Sequence, residues 1–455
     1  MTATLSSIRT VAAALLLATV IPPASAQAQT QEPAGVLTLD AAIAIAVDHN
    51  RQLKAAQLSV DNAVASVANA RVGRFPSFDL SSTAAQSLTQ MAFTFPRGAF
   101  GTFEGTGPVP GDDVRVTSPR RPLVLAQASV MQPLTQLRRI NLGVHASEAA
   151  LGIEQERYRG AVEQVAVDVK RLYYALLSAD RAVVAATRTL ETSREMEAVI
   201  QQRVSQRVVL RAEGLEAQYR VAQAEQARLS ASHSRMSLQE RMNQLLGRDL
   251  RTAFVVAPLA LDRVRDEELD VVTRRALDRR HDIREARLKV RQAELEHRAK
   301  AAESTPDVSV GLSYQSVFNV DVLPRNYTTL GVQVSWEPWD WGKRRRETGQ
   351  KANVIHQAQL ALKDTEDGVV RAIGDSYRRL QEARLQLGVA SLSEEMARER
   401  ARVRTEQIKV AAVLPVDGLA AQTELVQAGA RHQDALSNYW TARADYELAI
   451  GEDVQ

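Results

Sequence analysis

Glu213 and Asp417 are the residues whose type and placement could do chemistry. Each immediately precedes a Gly-Leu-x-Ala-Gln run, Gly214-Leu215-x-Ala217-Gln218 and Gly418-Leu419-x-Ala421-Gln422, at the start of a stretch with helical spacing. An acid in a first helical turn is favoured by the helix dipole, so capping explains either one alone. Facing a lumen, the same pair would repel anions and concentrate cations. Catalytic patterns are otherwise missing. There is no Gly-x-Ser-x-Gly, and Gly342-Lys343 lacks the phosphate-loop glycine, since Glu337 stands where it belongs. The histidines, His49, His281 and His297 among them, have no i, i+4 histidine partner and read as helix-surface residues rather than metal ligands. Neither an enzyme nor a bound cofactor or metal is expected.

The elements that must position the two acids are organised by a repeat. Leu39, Asp40, Ala46, Ala56, Leu58 and Pro76 return in register as Leu269, Asp270, Ala276, Ala286, Leu288 and Pro306. Each copy reads as a helix on an Ala-rich background, ended by proline and passing into alternating strand residues. Further on, Val165, Tyr173, Leu176 and Ala179 match Val369, Tyr377, Leu380 and Ala383 at a shorter spacing, and Gly247 and Asp249 match Gly451 and Asp453. One loop has therefore lost residues. A period of roughly 200 residues is far above solenoid repeats and reads as duplication of a whole helix, hairpin, helix, helix unit.

The copies also carry a resemblance. Leu37-Thr38-Leu39-Asp40-Ala41-Ala42, His49-Asn50-x-x-Leu53-Lys54-Ala55-Ala56 and Ala70-x-x-Gly73-x-x-Pro76-Ser77 resemble the opening of the TolC-like family of outer-membrane efflux and secretion channels. The resemblance spans essentially the whole mature chain and implies a mainly α protein with a membrane β-barrel part. In such a homotrimer, four strands per chain close a twelve-stranded barrel that long coiled-coil helices continue as a periplasmic tunnel. It also implies a passive conduit of tripartite efflux or type I secretion. Its partners would be outer-membrane lipid, a periplasmic adaptor and an inner-membrane pump of the RND, ABC or MFS type. In a trimer Glu213 and Asp417 would form one ring at the tunnel tip. The family often has a glycine at the tip, where adaptors dock; here Arg207, Val208 and Leu210 occupy one turn and Ala411, Val413 and Leu414 the other. The family's Asp-Val-Leu-Asp-Ala motif appears as Asp417-Gly418-Leu419-Ala420-Ala421, with the second acid lost.

Composition bounds the alternatives. Residues 1–26, with Arg9, the apolar run Val11 to Ile21 and Ala24-x-Ala26, read as a signal peptide cleaved before Gln27. No other stretch is long and apolar enough for a membrane helix. Zero cysteines excludes disulfides and a lipidated N-terminal cysteine. A net charge of +3, with acids and bases interspersed, does not point to nucleic acid.

The chain then divides into a first repeat at 27–249, a linker at 250–268 containing the strand candidate Phe254 to Leu259, and a second repeat at 269–455. Strands are expected at about 76–90, 122–132, 306–318 and 328–337, since Leu330, Val332, Val334 and Trp336 alternate with Thr329, Gly331, Gln333 and Ser335. Two hairpins cannot close alone, so their free edges call for oligomerisation. Met91 to Arg121 reads as a long external loop, and Asn319 to Tyr327 as its short counterpart. Trp336, Trp339 and Trp341 read as an interfacial belt at the periplasmic membrane edge. Long helices at about 138–206 and 343–410 carry a heptad seam, Val162, Val165, Val169, Leu172 and Leu176, and returning helices run at about 213–246 and 416–450. The alternative is a periplasmic structural or adaptor coiled coil without a pore.

Overall fold

The computed structural model describes residues 35–86, 88–90, 92–117, 122–208, 210–258, 268–318, 324–409 and 415–451. The signal-peptide segment lies outside them, as do Ala411, Val413 and Leu414.

The first repeat runs β1 (Gly35–Leu37), α1 (Leu39–His49), α2 (Arg51–Val72), β2 (Ser77–Gln86), four short strands β3 (Ala92–Phe95), β4 (Thr102–Phe103), β5 (Gly107–Pro108) and β6 (Val114–Thr117), then β7 (Pro122–Pro133), α3 (Leu137–Ser205) and α4 (Arg211–Leu245). The link contains β8 (Phe254–Val256). The second repeat runs α5 (Leu269–Arg279), α6 (His281–Ala301), β9 (Asp307–Phe318), β10 (Asn326–Ser335), α7 (Lys343–Lys409) and α8 (Pro415–Ile450).

The single opening helix expected in each copy is two helices. Asn50 breaks the first at extended backbone angles, and its side-chain oxygen accepts from the Gln52 and Leu53 amides, capping α2. Its amide also donates to the Leu245 carbonyl at the end of α4, 2.8 Å away. The break in the second copy falls at Arg280, whose guanidinium donates to the Leu448 and Ala449 carbonyls at the end of α8. The two breaks thus tie the start of each repeat to its own returning helix.

Two positions require glycine. Gly247, which ends the α4 turn at φ +69°, packs so tightly on the His49 carbonyl that a Cβ would collide with it. Gly160 on α3 leaves the notch that the His281 ring fills. His281, the first residue of α6, is therefore not the surface residue its spacing suggested but packs its ring into α3, with Nε2 3.5 Å from the Glu163 carboxylate.

The main core lies at mid-height. There β1 and β8 pair in parallel, Gly35 with Phe254 through Leu37 with Val256. Leu37, Val165, Val169, Tyr173, Leu176, Phe254 and Ile283 are buried around them. The single proton of the Tyr173 hydroxyl is shared between the Leu37 and Ala257 carbonyls, 2.9 and 2.8 Å away, so α3 ties β1 to the residue that follows β8. The loop after β2 packs on itself through amide bonds from Gly98 to Pro110 and from Phe100 to Val109, with the Phe95 and Phe100 rings 5.3 Å apart.

Candidate conduit wall and membrane face

The four long strands form one antiparallel sheet ordered β10-β9-β7-β2. Its register sorts the two faces. Phe78, Val130, Leu312 and Leu330 align across one face, and the next row on that face is Leu80, Ala128, Tyr314 and Thr328. The opposite face has Asp79, Ser129, Ser313 and Thr329 in one row and Ser81, Gln127, Gln315 and Tyr327 in the next. The apolar face is open, with Leu80 82% and Leu330 76% exposed. Such a face costs free energy in water and gains it in lipid, while the polar face suits a wet lumen. No described helix is long and apolar enough to cross a membrane.

Below the sheet the helices lie side by side. In the half nearest the sheet α2 packs on α3 (Arg71 to Glu148), α3 on α6 (Arg157 to Glu285) and α6 on α7 (Lys351 to Glu296). In the far half α4 packs on α3 (Arg194 to Glu225), α3 on α8 (Arg171 to Asp445) and α8 on α7 (Arg400 to Glu424). One flank is thus β2, α2 and α4, all from the first repeat, and the other is β10 and α7 from the second. Both flanks are open. On α7, Leu385, Val389, Leu392 and Met396 form an exposed stripe with heptad spacing, and on α4 Leu215, Leu229 and Met236 do the same.

Glu213 lies in the first turn of α4, exposed, its amide bonded to the Leu210 carbonyl. The cap residue Leu210 offers no side-chain bond to the free amides. Asp417 lies in the first turn of α8, with its side chain outside the described residues. Arg207 takes the left-handed conformation, φ 58°, with the Val208 amide bonded back to the Arg203 carbonyl; this is the position glycine usually fills after a helix. Trp336, Trp339 and Trp341 are exposed at the exit of β10, the last two rings edge to face at 5.9 Å.

Sequence reasoning missed the clamps. Arg280 also grips Asp282, and although burial alone would raise that carboxyl, the guanidinium holds it below its ordinary value. Glu285 is likewise lowered against burial, by Lys289 and Arg157. Burial pushes the Tyr174 hydroxyl up to about 12, where the ring stacks on Trp440. A repeat mismatch was the available signal, because Asn50 and Arg280 align yet differ in chemistry.

An open antiparallel sheet, apolar on one face and continued by helices about 100 Å long, is the build of a channel subunit whose barrel needs further copies. The model of the outer membrane efflux protein family matches residues 42–248 and 272–452, and the chain belongs to that family. It is an outer-membrane efflux channel. Among solved structures, the CmeC outer membrane channel of Campylobacter jejuni is 15% identical, covering 91% of this chain and 85% of its own, with a TM-score of 0.75. The outer membrane protein VceC of Vibrio cholerae is 14% identical over 92% of this chain and 97% of its own, at 0.71. The open-state MtrE channel of Neisseria gonorrhoeae is 16% identical over 91% and 88%, at 0.70. At such identities the likeness carries the fold. No curated protein matches the sequence.

Proposed function

We propose that three copies close head to tail into the complete conduit, β10 and α7 of each meeting β2, α2 and α4 of the next. The observation that carries this is the agreement of the flanks: sheet and helical layer are open on the same two sides, the geometry of a cyclic rather than a two-fold contact. The exposed stripes on α4 and α7 are complementary in kind, since both are apolar at heptad spacing. Three copies supply twelve strands, wide enough to leave a lumen.

In this reading the protein is exported by a cleaved signal peptide and is not lipidated. Its sheet stands in the outer membrane and the loop at Met91 to Arg121 faces outward. The tips at Arg207, Val208 and Leu210 and at Ala411, Val413 and Leu414 meet a periplasmic adaptor that links the channel to an inner-membrane pump. Glu213 and Asp417 from three copies ring the tip. A pore-free periplasmic coiled coil leaves the apolar sheet face without a reason.

The test joins mass to conductance. Detergent-purified protein should have the mass of three protomers, and one or two in a stable fold sinks the proposal. In planar bilayers the Glu213→Gln, Asp417→Asn double variant should lose cation preference and divalent block. An unchanged reversal potential with intact trimers assigns both acids to helix capping.

A further inference from the structure

Two grooves open just beneath the sheet. One, about 710 Å³, lies between the start of α3 and the end of α6 and is lined by Arg138, His145 and Arg298. The other, about 370 Å³, lies between α6 and α7 and is lined by His297 and Arg345 among others, with Ala301 bordering both. No carboxylate lines either groove.

Both face outward. Arg138, His145 and Tyr173 are whole heptads apart and so share one face of a supercoiled helix. Tyr173 ties β1 to the residue that follows β8. His297 stands in the same heptad relation to Ile283, buried in the core that includes those strands. That mid-height assembly would block the conduit if it lay inside, so the face it shares with the grooves is the outer one.

The level is the membrane edge. Arg138 is the second residue of α3 and follows the end of β7 by a short turn, and three exposed tryptophans stand at the exit of β10.

Several cations at this height are neutralised, Arg71 by Glu148, Arg139 by Asp307, Lys300 by Glu303 and Glu347, Arg344 by Asp340, and those that are not, Arg74, Lys343 and Arg346, line neither groove. Arg138, Arg298 and Arg345 make no ion pair among the described residues. With 57 basic and 54 acidic residues, composition does not force three unpaired arginines to one place. The carbonyls at the end of α6 are also closed off, since the Ser304 and Thr305 hydroxyls donate to those of Ala301 and Ala302, and so do not repel an anion.

From these observations we propose that Arg138, Arg298 and Arg345 form a receptor for the anionic phosphate headgroups of the membrane's periplasmic leaflet. Arginine reaches upward along apolar surface to the headgroup layer and pairs with phosphate in a planar, two-pronged fashion. The neighbouring tryptophans suit the boundary between acyl chain and headgroup, which favours a lipid over free phosphate.

Native mass spectrometry of the full chain in detergent tests this, with phosphatidylglycerol, phosphatidylcholine and inorganic phosphate as probes. The wild type should retain phosphatidylglycerol about tenfold better than phosphatidylcholine. The Arg138→Gln, Arg298→Gln, Arg345→Gln variant should lose that preference at unchanged oligomer mass, and the corresponding lysine variant should keep part of it. Should the triple variant fail to assemble, Arg138→Gln and Arg345→Gln singly should each lower the preference. Equal retention by wild type and variants, or displacement of the lipid by millimolar phosphate, overturns the inference. It rests on the outer-membrane reading of the sheet. A wild type absent from sedimented outer membranes fails that reading, whereas an outer-membrane protein without lipid preference fails the inference alone.

Discussion

At the scale of single residues, the protein is decided by places where a side chain meets a backbone it does not suit or a notch it fills. Arg207 stands in a left-handed conformation that costs a residue with a Cβ about 1 kcal/mol relative to glycine. Arg207→Gly should therefore tighten the turn between α3 and α4, slowing exchange of the Val208 amide about fivefold in hydrogen-exchange mass spectrometry. Unchanged exchange would mean that other contacts hold the turn. The sequence marked Arg207 as standing in a tip turn where the resembled family often has glycine, but nothing in an arginine itself announces a positive φ. His281 was misread for a related reason: its spacing places it on a helix surface, and only the bare backbone at Gly160 turns that surface into a socket. Tyr173 and its repeat partner Tyr377 look equivalent in the sequence. They diverge in the fold, where Tyr173 bonds the carbonyls of Leu37 and Ala257 and Tyr377 packs on the Tyr446 ring.

Elements were far more legible than residues. Proline-free runs with heptad apolar positions became α3 and α7, and alternating residues bounded by Pro76, Pro133 and Pro306 became three of the four long strands. What escaped was the break inside each opening helix, since helical periodicity continues across Asn50 and Arg280 and only their tertiary partners fix the bend. The Arg280 clamp gives a prediction with a definite sign. Asp282 titrates lower folded than unfolded, so its contribution is present above about pH 4 and is lost as pH falls through the depressed value. Arg280→Ala strands the half-buried carboxylate and leaves the α8 carbonyls short of a donor. It should cost about 2–4 kcal/mol at neutral pH, and less at a pH below that depressed value, where Asp282 is neutral. Thermal unfolding in detergent at the two pH values checks this, and a pH-independent cost would assign the effect to the carbonyl bonds alone.

For the whole molecule, the open flanks make a prediction about distance between copies. Leu229 on α4 and Leu392 on α7 lie on the two exposed stripes at similar heights above the helix turns. The chain has no cysteine of its own, so a Leu229→Cys, Leu392→Cys double variant offers a clean cross-link. Mild oxidation in membranes should yield covalent trimers on a denaturing gel and each single variant none; ladders without a closed trimer would indicate open association. The sequence by itself determined the duplication, the strand and helix types and the family they resemble. All of these are written in local periodicity and in motifs that recur along one chain. Tertiary structure alone decided which edges stay open, which face of the helical layer is outer, which arginines lack a partner and where the repeat is clamped. Those properties depend on contacts between residues hundreds of positions apart, and no local pattern records them.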